Sequence, residues 1–154
     1  MGMSKAFGWP VRIYWEDTDA GGIVYYANYL KYMERARSEW LRSLGVEQTE
    51  LKEREGLMFV VVRAEVDFRI PARYGDLLQV TCEVAEARRA SLTFKQDVVR
   101  ASAGQSTGQR TGEGNGGEVL VSGQIRIACL DVEKFRPRSM PEAMLQEIGV
   151  GGNR

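Results

Sequence analysis

The sequence predicts an α+β fold in which one long helix lies across an antiparallel sheet of about five strands, and three observations carry that expectation. Between Tyr29 and Leu44 the apolar side chains recur at three- and four-residue steps. In four later stretches they recur at every second residue, and no further long helical pattern separates those four. Strands that succeed one another without intervening helices pair antiparallel, because a parallel pair needs a long crossover. With 154 residues, 44% of them hydrophobic, the chain buries one core of ordinary size, so residues 1–154 are read as a single domain.

Taken in order, Val11-Arg12-Ile13-Tyr14-Trp15 is rich in β-branched and aromatic residues and reads as a strand that stops at the Asp/Gly-rich segment Glu16 to Gly22. The helix follows: Tyr29, Tyr32, Met33, Ala36, Trp40, Leu41 and Leu44 share one face, with Lys31, Glu34, Arg35, Arg37, Ser38, Glu39 and Arg42 largely between them. Gly45 ends it, since glycine takes the left-handed conformation of a helix C-terminus without a Cβ penalty. A shorter helical turn is expected over Thr49 to Arg54. From Met58 the period is two, and Phe59 to Phe68, Leu77 to Ala87, Ser91 to Arg100 and Glu118 to Val132 each read as one strand. Between the last two, Ala101 to Gly117 holds six glycines and no apolar side chain larger than alanine. That is too little to offset the entropy of ordering, and the stretch is read as a flexible hairpin loop. A short last helix is expected after Pro141.

Lys plus Arg and Asp plus Glu both number 21, which gives no general attraction to a polyanion and makes nucleic acid a poor partner. No apolar run approaches the roughly 20 residues that span a bilayer, and Met1-Gly2-Met3-Ser4-Lys5 leads into no signal-peptide core. A cytoplasmic protein without a transmembrane segment is therefore expected. Cys82 and Cys129 sit far apart in strand-like apolar segments and read as buried thiols rather than a disulfide. The chain has no histidine. That removes Ser-His-Asp and Cys-His arrangements and histidine-held metals, so no metal and no cofactor is expected and carboxylates must do the proton work.

Glu16, Asp17 and Asp19 matter by placement. A strand delivers them to Gly21-Gly22, and the chain then enters its longest helix, where unpaired N–H groups and the positive end of the dipole lie. Such a helix start polarises a carbonyl and stabilises the oxyanion formed on attack, while a carboxylate just upstream serves as nucleophile or as base for a water. These parts suit hydrolysis of an activated acyl group, whose thiolate leaving group needs little help from an acid. Asp and Gly before a helix are also ordinary turn and N-cap residues, and spacing alone does not choose between the two roles.

The run from Trp9 to Tyr29, WPVRIYWEDTDAGGIVYYANY, followed by Glu34-Arg35-Ala36-Arg37-Ser38-Glu39, resembles the YbgC-like acyl-CoA thioesterases of the hotdog superfamily and is similar to the 4-hydroxybenzoyl-CoA thioesterases. The likeness continues through Phe59-Val60-Val61, Pro71 to Asp76, Ser91-Leu92-Thr93-Phe94 and Pro137-Arg138, nearly the whole chain apart from the glycine-rich loop. It implies hydrolysis of acyl-CoA, a helix wrapped by an antiparallel sheet, homodimers or homotetramers paired through their sheets, and active sites at the subunit interface. The family's catalytic aspartate, the second Asp of its D-x-D-x-x-G segment, falls on Asp19, which leaves Asp17 as a turn or hydrogen-bonding residue. YbgC-like members usually carry histidine where this chain has Tyr26 and tyrosine where it has Trp15. The 4-hydroxybenzoyl-CoA enzymes resemble this chain in an aromatic residue at the first of these positions, where a backbone N–H polarises the thioester carbonyl. By that likeness Tyr26 is the second catalytic position, through its amide more than its phenol, and Trp15, Gly22, Tyr25 and Ala27 belong to the substrate site. Simple packing in the pocket wall is the other reading of Tyr26 and Trp15.

Glu34 lies eight residues after Tyr26 on broadly the same side of the helix and is the rival base, since another hotdog branch uses a helix glutamate; its ordinary role would be an ion pair with a helix arginine. Arg88, Arg89 and Ser91 stand at a strand turn and are either contacts for the coenzyme A phosphates or solvated turn residues. Tyr25, Tyr26, Tyr29 and Tyr32 either line an acyl pocket or belong to the core. Acyl carrier protein is the alternative carrier of the acyl group. The rival from another class is a non-catalytic acyl-thioester binder or scaffold at the inner membrane surface, which would have no need of a positioned carboxylate.

Overall fold

A computed structural model of the chain describes residues 6–101 and 117–150, so the expected flexible loop, apart from its ends Ala101 and Gly117, lies outside the described residues. The elements run β1 (Gly8–Arg12), α1 (Asn28–Ser43), α2 (Gln48–Glu50), β2 (Leu57–Phe68), β3 (Leu77–Thr81), β4 (Glu83–Arg88), β5 (Ser91–Arg100), β6 (Glu118–Asp131) and α3 (Glu142–Ile148). The strands form one antiparallel sheet in the order β1-β3-β5-β6-β2, with β4 taking the part of the β5 edge that β3 leaves.

Helix α1 lies across this sheet and buries Tyr29, Tyr32, Met33, Ala36, Arg37 and Leu41 against β1, β3 and β5. Strand β5 answers from one face with Leu92, Phe94, Gln96 and Val98, all fully buried, as the two-residue period of a strand requires. Buried Gln96 is satisfied: its Oε1 accepts from Arg37 Nη1 (3.0 Å), and its Nε2 donates to the carbonyls of Met33 (3.1 Å) and Thr81 (3.2 Å). The helix ends as its glycine predicts. Gly45 stands at φ +84°, its N–H donates to Arg42 O and the Val46 N–H donates to Leu41 O, which together satisfy two of the last carbonyls.

Two expected strands come out differently. Leu77 to Ala87 is two strands, broken at Cys82. At the break side chains replace ladder bonds: Asp97 N–H donates to Thr81 Oγ1 (2.8 Å), Gln96 Nε2 takes the Thr81 carbonyl, and the Cys82 N–H turns to Phe7 O (2.9 Å). The first strand is Gly8–Arg12 rather than Val11 to Trp15, because the turn at 73–76 captures Ile13 on both sides. Strand β2 is an edge, and Val61, Val62 and Phe68 on it are each about half exposed.

Cys82 and Cys129 are free and buried, as expected. Burial pushes the Cys82 thiol up to about 12 against a small opposing effect of Arg37, and Cys129 to about 11 against Arg138. At pH 8 only about one Cys82 in 10⁴ is a thiolate, so a chromogenic thiol reagent should detect neither cysteine in the native protein and both after denaturation. Because the folded pKa is raised, the stabilisation is fully present below the unfolded thiol value and is lost progressively as pH rises from there through the folded values. Urea midpoints should therefore fall from about pH 9 upward.

Candidate active site

The loop after β1 is built around Ile13, whose N–H donates to Asp76 O (2.9 Å) and whose carbonyl accepts the Gly75 N–H (2.9 Å). Tyr14 and Trp15 then turn outward, and the chain makes one tight helical turn over Trp15–Asp17. Asp17 closes that turn and joins it to α1. Its Oδ2 accepts the Tyr14 N–H (2.8 Å), and its carbonyl accepts both the Tyr25 N–H (3.0 Å) and Asn28 Nδ2 (2.9 Å).

Asp19 is exposed two residues further on. Its N–H donates to Ile23 O, its carbonyl accepts the Gly22 N–H, and Oδ1 accepts the Gly21 N–H at 2.8 Å. Among the described residues Oδ2 has no partner. Gly22 stands at φ +82°, a conformation that a Cβ opposes. Thr18 bridges Val24 across the loop, Ile23 bridges Arg73, and the Val24 N–H donates to Ala72 O (2.9 Å). The turn at 71–76 behind the loop is itself clamped by Arg100, through Nε to Asp76 Oδ2 (3.2 Å) and Nη2 to Pro71 O (3.0 Å).

The start of α1 faces this loop uncapped. Ala27 at the N-cap makes no side-chain cap bond, and the first turn contains no acid. The N–H groups of Asn28, Tyr29 and Leu30 reach back to the carbonyls of Tyr25, Tyr26 and Ala27, at 2.9, 3.3 and 3.2 Å. Those of Tyr26 and Ala27 have no partner among the described residues. Two free donors thus stand at the positive end of a helix of 16 residues.

Exposed aromatic rings occur on the loop and at the helix start in two separate groups, and the cavity lined by the group on the loop includes neither Asp19 nor Tyr26. Tyr26, 62% exposed, meets Phe68 edge-on (5.9 Å between centroids) and Tyr25 at 5.1 Å. Trp15, 68% exposed, stacks on Tyr74 at 4.0 Å with an interplanar angle of 9°. With Arg12, Tyr14 and Glu16 this stack lines an open cavity of about 570 Å³. The four tyrosines therefore divide: Tyr25 and Tyr26 stand at the site, whereas Tyr29 and Tyr32 are core. Phe68, Tyr74 and Arg100 are site-building residues that the sequence does not single out. Its one signal for them is the turn sequence Pro71 to Asp76.

Other candidates lie elsewhere. Glu34 is seven residues, about 10 Å, along α1 from Ala27 and opens on a separate cavity of about 120 Å³ with Arg37, Ser38 and Phe59. The expected ion pair with a helix arginine is not formed; Glu34 Oε2 instead accepts from Ser38 Oγ one turn on (2.7 Å). Arg88 pairs with Glu86 (2.7 Å) and Arg89 with Glu142 (3.2 Å). Together with Ser91 they stand at the beginning of β5, nine residue steps, or about 30 Å along the strand, from the Arg100 end that backs the Asp19 loop. A single chain does not bring them to Asp19.

Residues 21–107 match the family model of the thioesterase superfamily. The acyl-CoA thioesterase YbgC of Haemophilus influenzae is 37% identical over 140 residues, 91% of this chain and 92% of that protein. The crystal structure of a 1,4-dihydroxy-2-naphthoyl-CoA thioesterase from Synechocystis matches with a TM-score of 0.78 at 21% identity, covering 93% of this chain and 95% of that one. A mutant 4-hydroxybenzoyl-CoA thioesterase complexed with 4-hydroxybenzoyl-CoA matches with a TM-score of 0.79 at 20% identity, covering 93% and 98%. At these identities the two structures speak for the fold alone, and the YbgC relative speaks for the family. The chain belongs to the hotdog-fold thioesterase superfamily, among its YbgC-like members, and is a thioester hydrolase.

Proposed function

We propose that the chain hydrolyses acyl-CoA to the free acid and coenzyme A, with Asp19 as the carboxylate that attacks the carbonyl or activates a water. The Tyr26 and Ala27 N–H groups are the oxyanion donors in this reading. The observation that carries it is the pairing, on one closed loop, of a carboxylate with a free oxygen and an uncapped helix start with two unbound N–H groups. As the carbonyl oxygen gains charge, the helix start stabilises it. The thiolate then leaves unprotonated, which is why a chain without histidine suffices. Tyr25, Tyr26 and Trp15 are the wall against which a short aliphatic or aromatic acyl group lies. The setting is a cytoplasmic homodimer or homotetramer, a reading supported by the half-exposed apolar side chains on the β2 edge. Only a second subunit would let the Arg88–Ser91 turn meet the coenzyme A phosphates.

Coenzyme A release measured over acetyl-, hexanoyl- and benzoyl-CoA, with acyl carrier protein esters in the same panel, tests the activity. No release above background from any of them would refute it. Within that assay, Tyr26→Phe should keep kcat within about threefold of wild type, because the amide and not the phenol faces the carbonyl. Glu34→Gln should stay within about twofold, since Ser38 remains a partner for the amide and the site is about 10 Å away. A hundredfold loss in Glu34→Gln with turnover retained in Asp19→Asn would transfer the role to Glu34.

A further inference from the structure

Among the described residues a single buried side-chain polar atom lacks a hydrogen-bond partner, the hydroxyl of Tyr32. Tyr32 is 1% exposed. An unpartnered hydroxyl in such a place is unfavourable, and phenylalanine would fill the same space without it. The ring is held from two sides, by Tyr29 edge-on at 5.9 Å and by the Arg35 guanidinium 5.5 Å over its centroid.

Tyr32 stands one turn after Asn28 on α1, so the two side chains share a face and lean toward the start of the helix. Asn28 holds the Asp17 carbonyl there, and the Asp17 carboxylate is the group that interacts with the Tyr32 hydroxyl. Burial first, and the Asp17 carboxylate next, raise the Tyr32 pKa above the ordinary phenol value, which keeps the hydroxyl a donor at neutral pH. The Asp17 carboxylate accepts the Tyr14 N–H at Oδ2, which leaves Oδ1 open to the Tyr32 hydroxyl. The Tyr32 hydroxyl thus has the Asp17 carboxylate as its acceptor within reach, although the pair falls short of full hydrogen-bond geometry.

We infer that Tyr32 is a positioning residue, whose hydroxyl donates to the Asp17 carboxylate, holds the loop on α1 and so fixes the Asp19 carboxylate relative to the Tyr26 and Ala27 N–H groups. The inference rests on the role of Asp19 proposed above. Asp17 is the point where the loop is joined to the helix, two residues from Asp19, so a bond at Asp17 sets where the Asp19 carboxylate stands. Small displacements of a reacting group are costly: about 1 Å lowers a rate by about 10².

Tyr32→Phe is the test, read by steady-state kinetics, a thermal melt and amide hydrogen exchange of the free protein. The expected result is a kcat about tenfold lower with KM within about twofold, a Tm that is unchanged or higher, and faster exchange of the Tyr14 and Tyr25 amides, both of which are bonded to Asp17. An unchanged kcat overturns the positioning role, and unchanged exchange overturns the route through Asp17. Asp19→Asn is measured in parallel: if it keeps its turnover, the proposed chemistry fails, and the exchange result still decides whether Tyr32 ties down the loop.

Discussion

Asp19→Asn is expected to lower kcat about 10³-fold, with KM within about threefold and the thermal midpoint within about 2 °C of wild type. Asparagine keeps the oxygen that accepts the Gly21 N–H, so the turn that presents the side chain survives. What disappears is the negative charge on the oxygen that has no partner among the described residues. The loss corresponds to about 4 kcal/mol of transition-state stabilisation. It is this large because the chain has no histidine, Asp17 is tied to the Tyr14 N–H, and Glu34 lies in a different cavity. Turnover within tenfold of wild type would remove Asp19 from the chemistry. A single turnover in ¹⁸O water separates the two forms its role can take. Label in the Asp19 carboxylate marks direct attack, whereas label in the released acid alone, with no trappable acyl-enzyme, marks activation of water.

The second large effect is on stability. Phe94→Ala should cost about 3–5 kcal/mol of unfolding free energy, and lower Tm by roughly 10 °C, as judged by urea and thermal unfolding. Phe94 is fully buried on β5, between Val84 of β4 and Ile125 of β6, and meets Trp40 of α1 edge-on at 5.2 Å. It therefore fills the space where helix and sheet are joined. Deleting the ring removes its transfer free energy and leaves a void that the paired strands on both sides cannot close. A loss below 1 kcal/mol would mean that α1 can settle onto the sheet, and that the packing of the layer is looser than its burial implies.

Much of this molecule is legible in one dimension because the determining contacts are short-ranged. The three- and four-residue spacing from Tyr29 onward places α1, and Gly45 at its end takes the left-handed φ that only glycine adopts freely. The alternation Leu92, Phe94, Gln96, Val98 gives both the strand and its inward face. The Asp/Gly loop before the helix is legible for the same reason, as Asp19 bonds Gly21 and Gly22 within its own turn. Contacts between distant residues are less so. The break at Cys82 depends on Thr81 meeting Gln96 and Asp97, residues 15 and 16 positions away in sequence.

By itself, then, the sequence determined the helix, the antiparallel strands, the carboxylate loop and the absence of histidine, all set by local periodicity, turn chemistry and composition. Tertiary structure alone decided which candidates share a site. The Pro71 to Asp76 turn and Arg100 are brought behind the Asp19 loop, while Arg88, Arg89 and Ser91 are carried to the other end of β5. The physical reason is that strand register, fixed by burial of one face of the sheet, sets the positions of residues that no local rule connects.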